Sequence, residues 1–434
     1  MMDYNKEIKV GLLGFGTVGT GVVRIIQQHQ DDLVHQTGCR IKVEKIVVQS
    51  LEKSRSLDVE EGVLTLHAED VIHNPDIDIV IEVIGGVEKA RHYISQALQQ
   101  KKHVITANKD LMAIHGAELL TLASQNGCDL FYEASVAGGI PIIRALVEGF
   151  ASDRVRKMMG ILNGTTNYML TRMSKEGLSY DDCLQQAQAL GYAEADPTSD
   201  VEGLDAARKL AILGTLGFHT EVSLDEVKVR GISQVSKEDL EYGKSFGYEM
   251  KLLGIADRND QGIELSVQPT FVHKSHPLAH VNGVFNAVYV YGEAVGETMF
   301  YGPGAGELPT ATAVVSDLVT VVKNLKLGVN GRGMVAPYRE KKLKPQESVL
   351  NRYFIRLVVH DQPGVLASIT RSLADLDMSI SQIYQKEIEN DKAEIVIITH
   401  TISLAALEKW LEQVKQDQHI DHVASCYAVE GEEL

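Results

Sequence analysis

Ile8-Lys-Val-Gly-Leu-Leu-Gly14-Phe15-Gly16-Thr17-Val18-Gly19 is the stretch that decides the architecture of this 434-residue chain. A short apolar strand runs directly into the glycine turn, and a helical run continues to about Gln28. Each glycine has its own task in such a turn. Gly14 permits the tight reversal, Gly16 lets a phosphate approach the main chain, and Gly19 lets helix and strand pack closely. The helix start then presents unpaired N–H groups to an anion. Strand, glycine turn and helix in this order point to a bound dinucleotide rather than to a plain glycine-rich turn.

Working outward, further strands are expected at 41–48, 77–84, 103–106 and 129–132, with helices between them. Alternation of this kind predicts an α/β fold with an open Rossmann-type parallel sheet, whose ligands bind beyond the carboxyl ends of the strands. Thr106-Ala-Asn-Lys109 and the segment from Glu133 to Ile140 both fall there, so Lys109 is a candidate for the chemistry. The end of the second strand bears on cofactor choice, because an acidic residue there suits NAD whereas cations suit the 2′-phosphate of NADP. The chain offers Gln49, then Lys53 and Arg55, with Glu52 among them. NADP(H) is therefore preferred, with NAD(H) as the alternative.

From 134 to 300 strand-like runs (267–272 and 287–291) alternate with helical ones, as expected of an inserted α+β domain for substrate binding and dimerisation. A second glycine loop, Gly302-Pro-Gly304-Ala-Gly306, then leads towards an apolar helix expected at 313–327. It suggests that 301–334 completes the nucleotide domain begun by 1–133. His273, His276 and His280 lack a carboxylate partner and surround Pro277, so they read as a polar loop rather than a metal site.

Within the inserted part lies Tyr192-Ala-Glu194-Ala-Asp196-Pro-Thr-Ser-Asp200-Val-Glu202-Gly-Leu-Asp205-Ala-Ala-Arg208-Lys209. Asp205 and Lys209 stand four apart, on one face of what reads as a single helix, with helix-start chemistry at Asp196-Pro-Thr-Ser. The acidic cluster could hold a cationic ligand while Lys209 handles a proton. The plainer alternative is a solvated helix entry, where an exposed pair contributes only about 0.3–0.5 kcal/mol.

Residues 335–350 read as a polar linker. Beyond them, 351–434 alternate as βαββαβ, with the turn Asp361-Gln-Pro-Gly364 opening the first helix. The module carries no reactive cluster, so it serves regulation or assembly. A net charge of −17 argues against nucleic acid or an anionic membrane as the main partner. The absence of an 18-residue apolar run or a signal-like start leads to an expected cytoplasmic location. Cys39, Cys128, Cys183 and Cys426 are scattered without metal spacing, in keeping with a reducing compartment.

Taken together, the glycine loops, Asn163-Gly-Thr-Thr-Asn167, Gly191-Tyr-Ala-Glu-Ala-Asp-Pro197 and the Asp200–Lys209 block resemble the homoserine dehydrogenases of the monofunctional bacterial type, end to end. The tail resembles an ACT regulatory module through Asp361-Gln-Pro-Gly-Val-Leu366. The resemblance implies NAD(P)H-dependent reduction of L-aspartate 4-semialdehyde to L-homoserine, a branch point towards threonine, isoleucine and methionine. It implies that Lys209 donates the proton and that Glu194 and Asp205 hold the amino acid. It places Lys109, Gly191, Gly304 and Gly306 against the cofactor, together with the Gly14–Gly19 loop. A sodium-type ion is expected at Glu133, Val136, Gly138 and Ile140, three of them through main-chain carbonyls. Threonine is the expected effector of the tail, and a homo-oligomer, dimer or tetramer, the expected assembly. Gln49 departs from the family, where many relatives carry a basic residue.

The chemistry is consistent with these implications. Charge developing on an aldehyde oxygen needs a positive donor within about 3 Å. Lys109 and Lys209 can divide that work, one moving the proton and the other stabilising charge. A substrate ammonium wants carboxylates, which Glu194 and Asp205 supply. Another amino-acid or sugar dehydrogenase would not need the Glu194–Lys209 block, and a non-catalytic NADP-binding sensor would need neither lysine.

Overall fold

A computed structural model describes residues 7–331 and 337–431. The chain divides into two compact units. One comprises the residues up to Val155 with Arg208–Glu226 and Asn286–Glu340; the other comprises Arg156–Ala207, Val227–Phe285 and the chain from Lys341 onward.

The first unit is built on a six-stranded sheet. Its order is Leu64–Thr65, Arg40–Val47, Glu7–Leu13, Ile79–Glu82, His103–Thr106 and Leu130–Phe131, and every neighbouring pair is parallel. Successive side chains of a strand face opposite ways, so a strand buried at every position is covered on both faces. Ile79, Val80, Ile81 and Glu82 are all buried, as are His103 to Thr106. Glu82 tolerates burial because Thr106 Oγ1 donates to it at 2.6 Å and the Ile84 amide at 2.8 Å. Burial still raises its carboxyl pKa.

The helix Thr17–Gln28 lays Val22, Val23 and Ile26 into the same core as Val314, Leu318 and Val321 of the helix Glu307–Leu327. That second helix begins six residues ahead of the expected 313. Pro309 does not delay it, because the first turn has no need of the proline's missing N–H.

In the second unit the sheet order is Val155–Ile161, Tyr248–Asn259, Gly262–His273, Ile420–Glu430, Leu350–His360, Lys392–Thr399 and Ile380–Ile388. The last four strands and the helices Val365–Ala374 and Leu404–Val414 follow each other along the chain as βαββαβ. Trp410, Leu407 and Val414 meet Ile369 and Leu373 in a core of their own, and Trp410 Nε1 donates to Ser372 Oγ at 3.0 Å.

This module is not merely tethered. Ala428–Glu430 pair in parallel with Thr270–Val272. Arg356 inserts between Asp239 (2.8 Å) and Glu394 (2.6 Å), all three nearly buried. The expected linker is likewise tied down where it is described. Lys342 O accepts from the Ile263 amide at 2.8 Å, and Lys344 pairs with Asp257. Among the described residues no helix is long and apolar enough to cross a membrane.

Candidate active site

The first glycine turn has the shape its sequence demands. Gly14 has φ +109°, and a Cβ there would lie 2.7 Å from Val83 O. At Gly19 a Cβ would lie 2.4 Å from Gly14 O, whereas at Gly16 it would meet nothing within 4 Å. The outer glycines are thus required by the protein itself, and Gly16 is the position left open to a ligand. Gly16 also begins the helix Thr17–Gln28 without any side-chain cap and with no acid in the first turn. A helix start of this kind fits a pyrophosphate. Phe15 and Val18 are half-buried there, and Thr17 is exposed.

Beside this turn, the Arg55 guanidinium stands 5.9 Å from the centre of the Phe15 ring. Carbonyls of its own loop hold it, at Lys53 O (2.8 Å), Leu51 O (3.3 Å) and Ser50 O. Gln49, Glu52 and Lys53 are exposed.

Lys109 is the first residue of the helix Lys109–Gln125, whose cap Asn108 accepts from the Leu111 amide at 3.1 Å. The cap is braced in turn. Asn108 Nδ2 donates to Gly86 O at 2.6 Å, and the Asn108 amide donates to Thr106 Oγ1 at 3.0 Å. Lys209 lies on the helix Leu204–Phe218 and is 9 % exposed. Asp110 and Arg208 form an ion pair at 2.8 Å, which brings the start of the first helix beside the second. No local pattern signals this pairing, because ninety-odd residues separate its members.

The acidic block is not one continuous helix. Asp196 Oδ1 accepts from the Thr198 amide at 3.1 Å and opens a single turn, Thr198–Val201. The chain then breaks at Gly203, with φ +81°, before Leu204–Phe218 begins. Asp205, 3 % exposed, and Lys209 remain one turn apart on that second helix. Asn163 Nδ2 donates to Asp205 at 2.9 Å and to Asp200 at 2.7 Å. Glu194 and Gly191 are exposed, on a turn held by Gln188 Nε2 to Glu194 O (3.0 Å) and Thr165 Oγ1 to Tyr192 O (2.6 Å). Gly191 has φ +74°.

The expected ion loop follows the last parallel strand. Ala137 and Gly138 take consecutive left-handed conformations, and Val136 and Ile140 are buried. Both oxygens of Glu133 accept main-chain amides, from Ile143 and Arg144, each at 2.8 Å. Burial raises the Glu133 carboxyl pKa. Its carboxylate is thus engaged in anchoring the next turn, and a cation here would lean on main-chain carbonyls. Ile140 O itself accepts from Ile142 N at 2.8 Å. No group of three or more His, Cys, Asp or Glu suited to a metal occurs among the described residues.

The two glycine-rich loops of this unit touch. A Cβ on Gly138 would lie 2.4 Å from Gly304 O, and the Gly139 amide donates to Pro303 O at 3.1 Å. Gly306, with φ +130°, begins the helix Glu307–Leu327, and Glu307 pairs with Arg24 at 2.9 Å. The histidines form a polar turn: His276 Nδ1 accepts from Leu278 N, and His280 Nε2 meets Lys274 O at 2.9 Å.

Three protein-family models match the chain. They are the NAD-binding domain of homoserine dehydrogenase over residues 14–133, homoserine dehydrogenase over 141–319, and the ACT domain over 353–417. The homoserine dehydrogenase of Bacillus subtilis is 56 % identical over 428 residues, covering 98 % of this chain and 99 % of that one. That of Lactococcus lactis is 40 % identical, covering 94 % and 96 %. Among solved structures, a homoserine dehydrogenase from Thiobacillus denitrificans matches with a TM-score of 0.93 and 41 % identity, covering 98 % of each chain. A hyperthermophilic archaeal homoserine dehydrogenase in complex with NADPH matches at TM-score 0.62 and 26 % identity, over 74 % of this chain and 98 % of that one. With full-length relatives far above 30 % identity, this chain belongs to the homoserine dehydrogenase family.

Proposed function

We propose that the protein interconverts L-aspartate 4-semialdehyde and L-homoserine with NAD(P)H, at the branch leading to threonine, methionine and isoleucine. The observation that carries this reading is the glycine cradle open at Gly16 in a chain that also keeps the Glu194–Lys209 block. The bound nicotinamide supplies the hydride. Lys209 gives the proton to the carbonyl oxygen, and Lys109 stabilises the charge that develops there. Glu194 and Asp205 hold the substrate ammonium. Gly14 to Gly19, Lys109, Gly191, Gly304 and Gly306 bind the cofactor.

NADP(H) is the preferred form. Arg55 supports this, being tied by its loop beside Phe15 where a 2′-phosphate would need a cation. A sodium-type ion is assigned to Glu133, Val136, Gly138 and Ile140, and the tight bend that left-handed Ala137 and Gly138 give this loop is its support. We assign residues 1–133 with 301–334 to cofactor binding, 134–300 to substrate binding and dimerisation, 335–350 to the linker and 351–434 to regulation.

Threonine is the effector we assign to the tail, seated at the helix Val365–Ala374. Gly364, with φ +96°, opens that helix without a side-chain cap. Strand Ile380–Ile388 ends the sheet order and exposes Ile383 and Tyr384, which suits pairing with a second copy in a homo-oligomer. The cytoplasm, where the reduced cofactor is made, is the assigned location.

Nicotinamide absorbance with L-homoserine as sole substrate tests the activity, run with NADP and with NAD and repeated with threonine present. No absorbance change with either cofactor would refute the activity. Equal kcat/KM for both would remove the NADP preference. Indifference to threonine would leave the tail as an assembly element.

A further inference from the structure

Asn163 caps the helix Gly164–Glu176 with its carbonyl end. Oδ1 accepts from the Thr166 amide at 2.9 Å and from Thr166 Oγ1 at 3.0 Å. This orients the carboxamide, so that its NH2 group faces the acidic block. The two N–H bonds of that group are then both spent on carboxylates, one on Asp200 Oδ1 at 2.7 Å and one on Asp205 Oδ2 at 2.9 Å. Asn163 is 6 % exposed and Asp205 3 %, so water competes little for these bonds.

Capping alone needs only an acceptor, and Ser or Asp serves there as well as Asn. The two donors are therefore surplus to the cap. They act on a pair of like charges that would otherwise push apart, and they hold Asp205 by one named oxygen. We propose that Asn163 is a positioning residue for substrate: by fixing the Asp205 carboxylate through Oδ2, it sets the direction in which Asp205 receives the amino acid's ammonium. This inference rests on the assignment of Asp205 to that ammonium.

Asn163→Ser keeps an acceptor for the Thr166 amide and removes both donors. It is expected to keep the wild-type affinity for NADPH while raising KM for L-homoserine about tenfold, the scale for one lost hydrogen bond to a charged group. Asn163→Asp also keeps the cap, and by adding a third carboxylate it should raise KM further. In an Asp205→Asn background, Asn163→Ser should add little to KM, because the carboxylate that Asn163 aims at the substrate is already gone. A wild-type KM in both cap-preserving variants would overturn the proposal, as would an equal KM rise from Asn163→Ser with and without Asp205. If Asp205→Asn by itself left KM unchanged, the ammonium assignment would fall, and this inference with it.

Discussion

Arg208 and Asp110, 2.8 Å apart, join the residue before Lys209 to the residue after Lys109. The two lysines assigned to the chemistry thus sit on helices clamped together beside the lysines themselves. Asn108 and Thr106 anchor one of those helices back to Glu82 in the parallel sheet. Lysine side chains are long and flexible, so holding their main chains in register limits how far the ammonium groups wander.

Lys209→Ala should lower turnover by about 100-fold or more, the usual effect of removing a positioned acid–base group. The dissociation constant for NADPH, read by fluorescence titration, should stay near wild type. Near-normal turnover in the variant would transfer the proton-donor role to Lys109.

Glu194→Gln should act mainly on KM for L-homoserine, since a contact made equally in ground and transition states is lost. Steady-state kinetics at saturating NADP is the check. A variant that lost only cofactor affinity would place Glu194 in a different site.

The three glycines of the first turn should separate cleanly. Gly19→Ala puts a Cβ 2.4 Å from Gly14 O and should cost about 1–3 kcal/mol of stability in urea denaturation. Gly16→Ala meets no protein atom within 4 Å, so it should unfold like the wild type yet bind NADPH at least about tenfold more weakly. Unchanged binding would mean that the phosphates do not approach Gly16.

Asp317 gives a signed pH test. Burial raises its carboxyl from 3.8 to about 7, although it accepts from the Glu133 amide and pairs with Arg144. A carboxyl raised on folding contributes stability that is complete below about pH 4 and is lost as pH rises through about 7. Asp317→Asn should therefore flatten the fall in stability between those limits, by up to about 1.4 kcal/mol per pH unit. Parallel pH–stability curves for variant and wild type would show that Asp317 titrates alike in both states.

Arg356→Met leaves Asp239 and Glu394 buried without their shared cation. Tyr427, Ser425 and Tyr242 still donate to them, at 3.0, 2.5 and 2.5 Å. Hydroxyl donors do not neutralise charge, so a loss of about 3–5 kcal/mol is expected from denaturant unfolding. A loss below about 1 kcal/mol would mean that the shared cation adds little to stability.

Much of this protein was already determined by its sequence. The glycine turn, the parallel strands and the βαββαβ tail are local patterns, written in residues a few positions apart, and hydrophobic periodicity and positive-φ glycines report them directly. Strand ends drifted by a residue or two, as at 79–82 where 77–84 was expected. The remainder depends on contacts between segments far apart in the chain. Asp205 and Lys209 share one helix as their spacing indicates, yet the helix-start chemistry at Asp196 opens only a separate turn, and the chain breaks at Gly203 before that helix begins. Asn163 stands in the sequence only as part of the Asn163–Asn167 motif, and its grip on Asp200 and Asp205 appears only when segments 37 and 42 positions apart meet. The same holds for Arg208 with Asp110 and for Arg356 with Asp239. The side chains that make such contacts are polar groups on helix starts and strand faces, where solvated residues of identical type are common. Their partners are chosen by packing of apolar surface elsewhere in the chain, a long-range event on which periodicity is silent.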